Sequence, residues 1–93
     1  MNTDTDLEDP KTQLVVALES LFERDDRWRP VPSPEGATVT LTRCWREETV
    51  DTVVLLSPDT TYAWREDSRG REVERIRGTA EQVIVAVRDW PAP

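Results

Sequence analysis

The chain has no histidine among its 93 residues. That absence removes the commonest general base, the usual partner of a serine or cysteine nucleophile, and the commonest metal ligand. It has one cysteine, Cys44, so no internal disulfide can form and nothing calls for an oxidising compartment. The three glycines, Gly36, Gly70 and Gly78, are too few and too scattered to build a phosphate cradle, and each sits at a turn or an element boundary. EF-hand spacing, a Walker loop, GxGxxG, HExxH and paired CxxC are all missing. The longest strongly apolar run, Val53 to Leu56, is far short of the ~20 residues of a membrane helix. The opening residues are acidic and polar, without the basic and apolar regions of a secretion signal. No cofactor, no metal and no membrane are therefore expected, and the compartment expected is the cytoplasm.

What is present is charge. Twelve basic residues face 19 acidic ones, for a net charge of -7 and a pI near 4.5. A surface of that sign repels phosphate, so no nucleic-acid partner is expected. The arginines Arg65, Arg69, Arg71, Arg75 and Arg77 crowd one segment beside Trp64, but Glu66, Asp67, Glu72 and Glu74 are interleaved with them. That alternation reads as a salt-bridged edge hairpin. The adjacent acids Asp25-Asp26 and Glu47-Glu48 fall in turns, where carboxylates face water, although such pairs also suit acid–base work or a hard cation.

Residues 1–8 carry Asp4, Asp6 and Glu8 with little but Leu7 to bury, and are expected to form a disordered acidic tail ahead of a single domain, residues 9–91. Asp9-Pro10 supplies an N-cap and a first-turn proline, and Leu14, Val15, Leu18, Leu21 and Phe22 follow at helical spacing, predicting a helix over 10–24. Pro30, Pro32 and Pro34 then make an extended connection, which Trp28 pins to the core. Alternation of Val39 and Leu41 with threonines predicts a strand over 37–46, and further strands are expected at 50–56, 60–66 and, less regularly, 72–77. Thr79 to Gln82 matches a capping box that opens a second helix with Val83, Ile84, Val87 and Trp90 inward, stopped by Pro91. The expected fold is α+β: helix, three- or four-stranded antiparallel meander, helix, with both helices on one face of the sheet as a two-layer sandwich.

Taking Glu47-Glu48 as a two-residue loop sets Trp45 opposite Val50, Arg43 opposite Thr52, Leu41 opposite Val54 and Val39 opposite Leu56. Three- and four-residue turns then add Tyr62, Trp64 and Val73 to that face, and both helices cover it. The other face holds Thr38, Thr40, Thr42, Cys44, Asp51, Val53, Leu55, Ala63, Arg65, Glu72, Glu74 and Ile76 and stays open, as antiparallel sheets allow. Its apolar centre and polar rim suggest a small non-enzymatic interaction module, an adaptor, regulator or accessory protein. The candidate partner-binding residues are Thr40, Thr42, Val53, Leu55, Ile76 and Arg65, the partner being another protein or a second copy. Arg43, an arginine among apolar residues, is expected to snorkel to the rim or pair with an acid. Two alternatives remain. Arg43 could with Trp45 and Trp64 line a pocket for a small anionic molecule, or carboxylates alone could run an enzyme.

Overall fold

A computed structural model describes residues 10–93, so the expected tail, residues 1–8, lies outside the described residues. Helix α1 (Pro10–Arg24) buries Leu14, Ala17 and Leu21, with Leu18 packed against them. Val15 and Phe22, expected on the same stripe, are exposed. Each stands one residue, about 100° around the helix, beyond the buried line. Helix α2 (Ala80–Arg88) opens on the expected capping box: the Gln82 N–H donates to Thr79 Oγ1 and the Thr79 N–H donates to Gln82 Oε1, both at 3.1 Å. Its Val83, Ile84 and Val87 are buried.

Between the helices run β1 (Arg29–Val31), β2 (Val39–Cys44), β3 (Val50–Ser57), β4 (Thr60–Glu66) and β5 (Glu72–Gly78), an antiparallel meander in sequence order. The fold is the expected α+β two-layer arrangement with one strand more than foreseen. The extra strand, β1, lies inside the proline-rich connection, where Pro30 sits opposite Leu41. A proline is tolerated there because β1 is an edge strand and its missing N–H breaks no inner ladder. Next to it Trp28 is buried, as expected.

The β2–β3 hairpin departs from the expected register by one residue. Cys44, and not Trp45, faces Val50, so Arg43 faces Asp51, Leu41 faces Val53 and Val39 faces Leu55. The loop is not two residues but five, Trp45 to Thr49, closed by the Trp45 N–H on the Thr49 carbonyl at 2.8 Å around a 3-10 turn at Arg46–Glu48. Side chains alternate along a strand, so a slip of one moves every side chain of β3 to the other face. β4 follows it, because Val54 opposite Tyr62 and Thr52 opposite Trp64 are as expected. At the last hairpin Trp64 faces Arg75 and not Val73, and an irregularity beside Glu66 leaves Val73 exposed.

The core is one cluster between the helices and the inner sheet face, built on Leu41, Val53, Leu55 and Ala63, with Val39 and Ile76 at its margin. The helices run side by side in the same direction. Their C-terminal ends meet where Arg88 donates to Ser20 Oγ and Arg24 lies 3.6 Å from Asp89.

Candidate functional site

The register divides the expected partner-binding residues between the two faces. Thr40 and Thr42 do lie on the open face, but Val53, Leu55, Ile76 and Arg65 lie on the face that the helices cover, where Val53 and Leu55 are wholly buried. The open face is instead carried by two cross-strand rows: Thr42, Thr52, Trp64 and Arg75, and Thr40, Val54, Tyr62 and Arg77. Val50 and Leu56 extend it along β3, and Arg29 sits opposite Thr42 on β1. Tyr62, Trp64, Val50 and Leu56 are each part exposed, and the Arg77 guanidinium stands 5.5 Å from the centre of the Tyr62 ring. Cys44 is a free, exposed thiol at the end of β2.

Arg43, Trp45 and Trp64 do not meet in a pocket. Trp64 is on the open face, with its indole N–H on Glu66 at 2.7 Å. Arg43 is buried on the helix side, and Trp45 joins it from the hairpin loop.

There the residues build a closed cluster around Asp51, which is fully buried. Arg43 donates through Nε at 3.1 Å and Nη2 at 2.8 Å, Arg65 through Nε at 2.6 Å and Nη2 at 3.1 Å, and Trp45 through its indole N–H at 2.7 Å. The same arginines also reach the chain at the ends of both helices, Arg43 Nη2 being shared between Asp51 and a helix carbonyl. Arg43 contacts Asp25, just after α1, at 3.1 Å and the Val87 carbonyl at 3.5 Å, and Arg65 holds the Pro91 carbonyl at 2.7 Å. Arg43 lies between the rings of Trp28 and Trp45, 4.5 and 4.6 Å from their centres, and Arg65 is 5.5 Å from that of Trp90. Three of the four tryptophans are thus spent on flanking two guanidinium groups.

Burial alone pushes the Asp51 carboxyl pKa up, but hydrogen bonds from Arg65, Trp45 and Arg43 outweigh it and hold the group below the usual carboxylate range. Asp25 is held well below that range, chiefly by the Arg27 side chain, against some burial, with further help from the Arg27 N–H and from Arg43. A carboxylate fixed in its ionised form is poorly matched to proton transfer near neutral pH. The cluster is therefore suited to clamping the strand ends to the helix ends. Among the described residues no group of three or more cysteine, aspartate or glutamate side chains is placed to hold a metal ion, and no helix is long and apolar enough to cross a membrane.

Arg43 does pair with an acid, one of the two expectations for it, but neither Asp51 nor Asp25 was foreseen as that acid. The signal was nonetheless present. An arginine inside a packed face needs a carboxylate across from it, and only the register that places Asp51 opposite Arg43 also turns Val53 and Leu55 inward. No protein-family model matches the chain, and no curated protein or solved structure shows a significant likeness to it.

Proposed function

We propose that the chain is a small non-enzymatic interaction module of the cytoplasm that docks a protein partner on the open face of its sheet. One observation carries this reading. Val50, Leu56, Tyr62 and Trp64 stand part exposed around a buried Val54 on a sheet face with no helix of the described residues over it, both helices being packed on the opposite side. An apolar centre with a polar rim is the usual form of a contact surface, and aromatic residues with adjacent arginines are the side chains that such surfaces favour. The rim carries Arg29, Arg75 and Arg77 against Glu66 and Glu72 on a chain whose net charge is -7, so this face is locally the less acidic part of the molecule. The partner it suits is a protein with an apolar patch bordered by carboxylates.

A photo-crosslinking side chain introduced at Thr52, between the two rows, tests this in host cells against the same group at Glu19 on α1. The reading expects an adduct with a distinct protein from Thr52 only, lost when Tyr62→Glu is added to a chain that circular dichroism shows to be folded. No adduct at Thr52, or one that contains only the chain itself, would overturn it.

A further inference from the structure

Away from the sheet, α1 and α2 enclose an open groove of about 610 Å³. Its floor is Ala17 and Ile84, its walls Val16 and Val85, and its ends Glu81 and Arg88. The walls are the unusual part: Val16 and Val85 are 59 % and 44 % exposed, among the most exposed large apolar side chains of the described residues. The positive end is incomplete. Arg88 spends Nη1 on Ser20 Oγ, forms no ion pair among the described residues, and keeps a buried Nε–H without a partner. With Nη1 spent and Nε enclosed, Nη2 is the nitrogen of Arg88 left to take a further acceptor.

The negative end is Glu81, exposed in the first turn of α2. Seven residues separate Glu81 from Arg88, about 10 Å along a helix, and the midpoint falls at Ile84 and Val85. A surface with an acid at one end, a base at the other and apolar residues halfway is complementary to its own copy turned by 180°.

We propose that this groove is the contact between two copies of the chain, with a two-fold axis passing beside Val85. In that arrangement α2 lies antiparallel to α2 of the second copy. Val85 packs against Val85 of the partner subunit, Val16 closes the flank, and Glu81 accepts from Nη2 of Arg88 of the partner subunit, twice over. The contact is independent of the sheet face, which stays available on the outside of the pair.

The test is a charge swap, read by sedimentation from about 1 to 100 μM. The wild type dimerises. Arg88→Glu and Glu81→Arg each place like charges together at both ends and weaken the dimer at least tenfold. The double variant Glu81→Arg/Arg88→Glu reverses both pairs and recovers it, while circular dichroism reports a folded chain throughout. Tyr62→Glu, which disables the sheet face, leaves the dimer intact, so failure here and failure of the docking face are told apart. A wild type that stays monomeric at 100 μM overturns the proposal. So does a double variant no tighter than the single ones, or a groove that takes a free medium-chain carboxylate and not a second copy.

Discussion

Replacing Asp51 with asparagine keeps the shape of the side chain and removes its charge from between two buried guanidinium groups. Asp51 accepts from Arg43, Arg65 and Trp45, and the side chains of Arg43 and Arg65 are only 4 % and 7 % exposed. In the variant one amide oxygen replaces two carboxylate oxygens, its NH2 points at a guanidinium, and among the described residues Asp25 is the one carboxylate still paired with Arg43. Removing one partner from a buried ion pair typically costs about 3–5 kcal/mol. A domain of this length has only about 5–14 kcal/mol in all. At about 4–8 °C per kcal/mol, the melting temperature falls by at least about 12 °C. Thermal and urea melts followed by circular dichroism read both quantities, with the urea slope unchanged if the fold itself is retained. The triple variant Arg43→Met/Asp51→Leu/Arg65→Met is the contrasting case. With both arginines and Asp51 gone and Asp25 still paired with Arg27, it is expected to match or exceed the wild type, since apolar replacements of buried ion clusters are often neutral or stabilising. An Asp51→Asn variant within about 0.5 kcal/mol of wild type, the range of ordinary surface changes, would refute the reasoning.

The same carboxylates set the acid limit. Asp25 and Asp51 both have folded-state pKa values below the unfolded value, so their contribution is present above about pH 4 and is lost as pH falls through and below it; in an acid titration Asp51→Asn should show a shallower loss than wild type, and an equally steep one would remove Asp51 from the account. Leu55→Ala should cost about 2–5 kcal/mol because Leu55 is wholly buried, and Leu56→Ala, one residue along on the open face, distinctly less; the reverse order in urea melts would return β3 to the other register. Glu47 holds φ 65° and ψ 23° in the hairpin loop, a region that costs an L residue about 1–2 kcal/mol, so Glu47→Gly should raise stability by up to about 1 kcal/mol, and a loss of that size would show that its side chain is needed there.

Local signals were legible wherever the chemistry was local. Pro10 and the Leu14, Leu18, Leu21 line mark α1, Thr79 and Gln82 cap α2 in the expected way, and Thr60–Glu66 is the strand that its alternation describes. The slip came from one loop. Glu47 and Glu48 both adopt positive φ, at 65° and 62°, although neither is a glycine or asparagine, so residue type gave no sign of a five-residue connection. Runs such as Val53 to Leu56 are apolar on both faces and fit either register equally well, so hydrophobic pattern alone could not choose. Electrostatics could have. Strand β1 was hidden for a different reason: Arg29, Pro30 and Val31 have no alternation to show, and they pair because β2 offers them an edge.

The closed cluster also has a consequence in time. It joins Asp25, Arg43, Asp51, Arg65 and Pro91, positions spread over most of the described chain, whereas each hairpin of the meander joins neighbours. Contacts that need distant segments to be in place at once are closed late, after the loops between them have lost their freedom. Loosening Asp51 should therefore leave the refolding rate almost untouched and appear in the unfolding limb of a chevron. A loss of about 3 kcal/mol carried wholly by that limb makes unfolding about a hundredfold faster, since each 1.4 kcal/mol is a factor of ten. In the wild type the two arginines on one aspartate then act as a latch on the lifetime of the folded state, holding the sheet against the ends of both helices long after the meander itself has formed.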